Sequence, residues 1–163
     1  MHGEAASALA DTAEKLAGAR WLTPRAEGKW TPAEIVEHLN LSYETLLREL
    51  AGGKGMQVRT KLWQRLLLRF TLMPKLLRGG KFPLARAPRE TRPAAANPDP
   101  VSAIAAFRER SLRLDALAAE VVASGRRRKL THAYFGSASV PKAVLLCARH
   151  VQHHQKQLAE LRS

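Results

Sequence analysis

Two histidines near the C-terminus, His150 and His154, have a spacing that suits shared binding of a metal ion. Residues four apart on a helix lie one turn above each other on the same face. Neutral imidazole is a good ligand for zinc, nickel, copper and iron. A third ligand could come from His38, which is distant in the sequence and lies on another predicted helix. The alternative to metal binding is that each histidine is a polar residue of the core that makes an ordinary hydrogen bond.

The helix that carries this pair has a stripe of mostly apolar residues that should face the core. Its members recur at intervals of one, three or four residues and are Val144, Cys147, His150, Val151, His154 and Leu158. A buried imidazole is costly unless its nitrogens find partners. A metal would satisfy one nitrogen of each ring, and a hydrogen-bond acceptor would satisfy the other. For His38, we expect Glu34 and Ser42, each one turn away, to orient the ring.

Other residues near these positions are weaker candidates. His153 lies about 60° around the helix from His150, away from His154, so it is the poorer ligand. Cys147 could reach the metal, but a small buried hydrophobic role is favoured for a free cysteine. His132 is either a residue that supports the site or a solvent-facing loop histidine. Arg149 and Tyr134 are candidates for the rim. The sequence contains no HExxH motif, which excludes a zinc protease of that class.

Four amphipathic helices must position these side chains. The second has the clearest start, because Thr31 and Glu34 form a capping box around Pro32, and it stops at Gly52-Gly53. The others are predicted over residues 3–19, 100–124 and 139–161. Between them, residues 79–100 are rich in proline and cannot form a regular helix. No strand pattern is evident, so we predict an all-α fold, a four-helix bundle with a long proline-rich crossover, in a single domain over residues 1–163.

The positive charge, a net +13, is concentrated in two segments. Residues 54–93 hold eleven basic and one acidic side chains, and residues 126–163 hold eight and one. If the segments meet, they form a face that attracts anionic small molecules, nucleic acid or acidic lipids, although a solvated surface is an equal alternative. Within the first segment, residues 57–78 predict an additional short basic amphipathic helix. Packing of its apolar side on the domain is favoured over contact with a membrane surface.

The cysteine count and the absence of several motifs indicate the compartment and the partners of the protein. The single cysteine excludes an internal disulfide framework and suits a reducing compartment. The N-terminus does not resemble a secretory signal, and no apolar stretch reaches the length of a spanning helix. We therefore expect a cytoplasmic protein. No DNA-binding motif and no aromatic stacking platform is recognisable, so nucleic acid is not the expected partner.

Several short motifs resemble those of one known family, and they occur along the chain in the same order as in that family. Residues 30–39 are similar to the second-helix signature of the DinB-like superfamily, metal-binding four-helix-bundle proteins related to bacterial thiol-dependent transferases. Residues 132–136 resemble the loop before the last helix in one branch of that family, and residues 150–158 resemble the closing helix. Lys81-Phe82-Pro83 and Ala87-Pro88 resemble its crossover. The similarity runs from about Trp30 to Leu158.

The resemblance implies a divalent metal, most often nickel or zinc, held by His38, His150 and His154. Some relatives transfer thiols of low molecular weight, one isomerase depends on such a thiol, and many have no established activity. Dimers are common. The resulting hypothesis is a metal-dependent thiol S-transferase or hydrolase that acts on a small molecule, with an anionic thiol and a homodimer as expected partners. The alternatives are a non-enzymatic metal-binding bundle and a basic module for nucleic acid or membrane surfaces. The sequence assigns no catalytic residue.

Overall fold

The computed structural model describes residues 1–83, 86–94 and 98–161 and is mostly helical. Its helices, in chain order, are α1 (His2–Leu16), α2 (Pro32–Leu50), α3 (Leu62–Leu77), α4 (Pro100–Ala123) and α5 (Val140–Ala159). A single 3-10 turn, Arg89–Thr91, lies in the crossover between α3 and α4. The all-α bundle with a long crossover and an additional helix is therefore confirmed. No described helix has the length and apolar character needed to cross a membrane.

The helix starts follow the predicted capping residues. At α2, the backbone N–H of Glu34 donates to Thr31 Oγ1 over 3.2 Å, and the Glu34 carboxylate accepts from the Thr31 N–H over 2.8 Å. At α4, the Asp99 carboxylate accepts from the N–H of Ser102. These bonds satisfy N–H groups that a helix leaves without partners in its first turn. Ser139 occupies the corresponding position before α5 but makes no side-chain cap bond.

Four of the helices form the bundle, and they contact one another to different extents. α1 packs closely along α4 and α5, and α2 packs closely along α4. α2 and α5 approach each other more loosely. The largest fully buried side chains of the core come from all four helices and include Leu9, Ile35, Tyr43, Phe107, Leu114 and Val151. The predicted histidines meet between α2 and α5.

A β-hairpin precedes α5, so the prediction of no strands was wrong. β1 (Lys129–His132) and β2 (Gly136–Ser139) pair antiparallel. Each strand has four residues, too short to produce a recognisable alternating pattern. Tertiary contacts fix the hairpin instead, because the Glu49 carboxylate on α2 accepts from both the backbone N–H and the hydroxyl of Thr131, over 2.8 and 2.7 Å.

Helix α3 is shorter than predicted and packs only in part. It continues through Pro74 without a break, and of its residues only Met73 and Leu76 are fully buried. Five large apolar side chains are exposed on its outer side: Leu62, Trp63, Leu66, Leu67 and Phe70. The expectation that the apolar side packs on the domain is therefore wrong for the N-terminal half of α3. Residues 57–61 lie outside the helix.

A chain of polar contacts links the four helices of the bundle. His2 on α1 is hydrogen-bonded through Nδ1 to Asp115 on α4 and through Nε2 to the hydroxyl of Tyr43 on α2, both over 2.8 Å. Tyr43 also contacts the thiol of Cys147 on α5. Burial raises the pKa of Cys147 to about 12, which keeps the thiol protonated. Cys147 thus resembles a small buried core residue.

Candidate metal centre

Three histidines from two helices converge at the gap between α2 and α5. His38 Nε2 lies 3.3 Å from His150 Nε2, and His154 Nε2 lies 3.0 Å from the same atom. One nitrogen from each ring lies within 4.8 Å of those of the other two. His38 and His154 are buried, and His150 is partly accessible. The helical spacing on α5 accounts for the pair, while packing of α2 across the gap supplies the third ring.

The outer nitrogens of two rings have acceptors that determine the tautomer. His38 Nδ1 donates to the carbonyl oxygen of Thr91 over 2.6 Å, and His154 Nδ1 donates to Gln157 Oε1 over 2.8 Å. In the neutral rings this leaves Nε2 of both without a proton, with its lone pair turned toward His150. His150 Nε2 can offer one proton at most. The Nε2 lone pairs of His38 and His154 therefore compete for one proton on His150. A bound cation would accept both lone pairs.

Burial keeps these rings neutral, which is the state that binds metal. Removal from water lowers the pKa of His38, and the carbonyl of Thr91 opposes this only in part. The pKa of His154 is lowered to about 3, mainly by burial and next by the proximity of His38. For His150, burial and then the neighbouring rings hold the pKa well below its usual range. At neutral pH all three rings are thus neutral imidazoles, each with one unprotonated nitrogen that can bind a metal.

The separations and the donor set fit a first-row divalent ion. A tetrahedral zinc ion with Zn–N bonds of about 2.0–2.1 Å requires ligand nitrogens roughly 3.3 Å apart. The two hydrogen-bond distances, 3.3 and 3.0 Å, are close to that value. Outer-nitrogen acceptors of the kind provided by Thr91 and Gln157 are typical of metal-binding histidines. His38, His150 and His154 could therefore hold the predicted divalent ion.

Two aromatic side chains flank the three rings. The Trp30 ring lies 4.9 Å from that of His38 and stacks at 6.2 Å on His154. Phe82, from the crossover, lies 5.5 Å from the ring of His150 and 5.3 Å from that of His153. These contacts cover part of the imidazole surfaces and limit rotation of the rings.

The cluster forms part of the wall of a large cavity. The cavity has a volume of about 460 Å³, and all three ligand candidates line it. Its cationic side chains are Arg25, Lys29 and Arg86. Among its described lining residues there is no aspartate or glutamate. His132 and Tyr134 of the hairpin also line it, so both lie beside the cavity rather than on an outer loop.

Several expected neighbours have other roles. Glu34 caps α2, and the hydroxyl of Ser42 donates to the backbone carbonyl of His38, so neither orients the imidazole. Arg149 donates to the carbonyl of Leu77 and to Gln152, facing α3 instead of the cavity rim. Cys147 lines the cavity but is not one of the three converging ligands.

Thr91, Gln157 and Phe82 were not predicted to take part in the site. Gln157 could have been found, since it lies three residues after His154 on the same helix face. Its amide bridges two rings, because Nε2 also lies 3.0 Å from His153 Nε2. Thr91 acts through its backbone carbonyl, so its side-chain type carries no information about this role.

Comparison with known proteins agrees with this arrangement. The family model described as the DinB superfamily matches residues 2–158. The chain belongs to the DinB superfamily. The match includes α1, which lies before the first motif of the predicted resemblance. No curated protein and no solved structure matched this DinB-superfamily chain. Its function must therefore be inferred from the site.

Proposed function

We propose that this DinB-superfamily protein is a divalent-metal-dependent thiol S-transferase that uses zinc or nickel. The observation that carries the proposal is the convergence of His38, His150 and His154 on the wall of the cavity, with at least two lone pairs turned toward one point. Three protein ligands leave a coordination position open, as in catalytic zinc sites. When bound, the ion would lower the pKa of a thiol at that position.

The chain's own residues support a thiol with acidic groups. Lys29 and Arg86 line the cavity, and Arg25 does so while paired with Glu160. Cationic side chains at a cavity favour entry of anions by long-range attraction. Trp30 and Phe82 pack against the histidine rings and displace water from the surfaces that they cover. In an environment with little water, charge–charge attraction is stronger than in bulk solvent.

The lining of the cavity favours thiol transfer over hydrolysis. Attack by water is assisted by a general base, for which zinc hydrolases often use a carboxylate. No described residue that lines the cavity carries one. A thiol ionises far more readily than water, so its activation depends less on such a base. Hydrolysis is therefore the second candidate, and a non-enzymatic metal-binding bundle is the third.

Metal content provides the first test. The purified chain should bind about one zinc or nickel ion, measured by elemental analysis after dialysis. His38→Ala should lose at least 90% of that metal, because it removes one of three ligands. His153→Ala is the matched control, since this histidine lies on α5 but outside the cluster, and it should retain the metal. Equal metal content in the two variants would exclude the site.

Thiol transfer provides the second test. The metal-loaded protein is assayed with glutathione, cysteine and 1-chloro-2,4-dinitrobenzene, in which the thiolate sulfur displaces chloride to form a thioether. Turnover above the uncatalysed rate that disappears in His38→Ala supports the transferase. Release of product without thiol, from an activated ester, supports the hydrolase. A metal-loaded protein with neither activity toward a broad panel supports the non-enzymatic bundle.

A further inference from the structure

The cavity extends well beyond the three histidines into an apolar region under α3. This region is built by side chains from α3, the crossover, the hairpin and α5: Leu68, Leu72, Phe82, Phe135, Ala138 and Leu146. A volume of about 460 Å³ is within the range of cavities that hold drug-sized ligands. Binding of a compact anionic thiol at the metal does not account for so large an apolar surface.

The ring of His132 is a polar group within this largely apolar wall. The His132 ring packs against Phe135, with ring centroids 4.7 Å apart, and its Nδ1 accepts from the backbone N–H of Tyr134 over 3.2 Å. In the neutral ring the proton is then on Nε2. Within residues 1–83, 86–94 and 98–161, Nε2 has no hydrogen-bond partner. Because the ring lines the cavity, this N–H is available to a bound molecule.

His132 is uncharged near neutral pH, so it can act as a neutral hydrogen-bond donor. Burial lowers the pKa of this ring to about 4, so it remains neutral between pH 6 and 8. The cationic residues of the cavity are Arg25, Lys29 and Arg86, and none of them makes a described bond to the ring. A neutral N–H in an apolar wall recognises a neutral acceptor such as a carbonyl or ether oxygen.

We propose that the cavity binds a second substrate with an extended apolar body and one neutral hydrogen-bond acceptor. The body lies against the wall formed by α3, the hairpin and α5, and the acceptor receives the Nε2–H of His132. The inference rests on the proposed function only in placing the reactive end of this substrate at the three histidines. The apolar site itself does not require a metal.

The first experiment compares two ligands that bind zinc through the same group but differ in the length of their alkyl chain. Acetohydroxamate and octanohydroxamate share a head group that chelates zinc and differ by six methylenes. Each buried methylene should tighten binding about four-fold. We expect octanohydroxamate to bind the zinc-loaded full chain at least 100-fold more tightly by calorimetry. Affinities within five-fold of each other would overturn the proposal.

Two variants of α3 locate the effect. Leu72 lines the cavity, whereas Leu67 is exposed on the outer side of the same helix. Leu72→Asn should reduce the ratio of the two affinities at least ten-fold. Leu67→Asn, the matched control, should leave the ratio within two-fold of wild type. An equal effect of the two substitutions would contradict binding in this cavity.

The second experiment uses metal-free protein, so its outcome is independent of the metal site. The probes are 2-octanone, which accepts a hydrogen bond, and toluene, which has no oxygen acceptor, with binding followed by NMR titration. His132→Phe retains a ring against Phe135 and removes the donor. It should weaken binding of 2-octanone at least three-fold and change that of toluene less than two-fold. An unchanged affinity for 2-octanone would refute the role of His132.

These two experiments separate failure of this inference from failure of the proposed function. If zinc does not bind but the metal-free protein binds both probes, the apolar site stands without the transferase. If zinc binds and chain length has no effect, the apolar site is refuted while the metal centre stands. If the chain binds neither zinc nor the apolar probes, both are refuted.

Discussion

His38 on α2 donates through Nδ1 to the carbonyl oxygen of Thr91 in the crossover, across 2.6 Å and 53 residues of sequence. The 3-10 turn Arg89–Thr91 packs on α2 and brings this carbonyl to the ring. The bond leaves the lone pair of His38 Nε2 turned toward His150. The crossover therefore both connects two helices and determines which nitrogen of His38 can bind a metal.

We predict that Gln157 supports metal affinity through His154. Gln157→Leu removes the acceptor of the Nδ1–H, so the ring loses its preferred tautomer and orientation. Loss of such an outer partner typically lowers metal affinity about 10–100-fold. Competition with a chelator of known affinity measures the change. Gln155→Leu, a nearby glutamine on α5 without this contact, is the control and should leave the affinity unchanged; equal losses would contradict the role.

We predict that the metal-free protein becomes less stable as the pH falls from 7 to 5. The pKa of His154 is about 3 in the folded protein and about 6.5 when unfolded, so in this range only the unfolded chain gains the proton. Stability is therefore fully present above pH 6.5 and decreases below it. For His154 alone the loss is about 1–2 kcal/mol at pH 5, and His38 and His150 shift in the same direction.

Urea denaturation at several pH values measures this dependence. In His154→Phe, the slope of the unfolding free energy with pH should decrease, because one titrating group is removed. A slope identical to that of the wild type would show that His154 is not responsible.

We predict that two apolar residues six apart on α3 differ sharply in their contribution to stability. Leu76 is 1% exposed, whereas Phe70 is 74% exposed. Leu76→Ala should lower the free energy of unfolding by about 2–4 kcal/mol, because it leaves a cavity. Phe70→Ala, in contrast, should change it by less than about 0.5 kcal/mol. Chemical denaturation measures both, and a large loss in Phe70→Ala would show that the outer side of α3 is packed in solution.

We predict that His2 stabilises the bundle through its buried bonds. His2→Ala leaves the hydroxyl of buried Tyr43 without that partner and removes the connection to Asp115. An unsatisfied buried polar group costs about 1–3 kcal/mol. The double variant His2→Ala with Tyr43→Phe should be less destabilised than the sum of the single changes, because both partners are then absent. Strict additivity in urea denaturation would argue against the bond.

Local sequence patterns predicted most of the helical framework. The capping box at Thr31 and Glu34, and Asp99 before α4, involve residues close together in sequence, so their bonds form wherever the chain enters a helix. The inward stripe of α5 was also predictable, because helical periodicity places Val151, His154 and Leu158 on one side. The β-hairpin was not, since its short strands are held by each other and the first of them also by Glu49.

Helix α3 shows why hydrophobic periodicity alone does not predict which part of a helix is buried. Its apolar residues occupy more of the helix circumference than one face, and the sequence does not say which part meets the protein. Packing against α5 and the hairpin buries Leu76 and Met73, while Leu62, Trp63 and Phe70 remain outside. The choice depends on where the crossover and the hairpin direct the helix, and those segments lack a regular sequence pattern.

The amino-acid sequence by itself determined the pairing of His150 and His154 on one helix face, because one turn of an α-helix has a fixed geometry. It also indicated His38 as the third ligand. Only the tertiary structure decided which group accepts from the outer nitrogen of His38 and which walls surround the site. Those contacts come from a backbone carbonyl at Thr91 and from side chains far apart in sequence, and long-range packing alone brings such groups together.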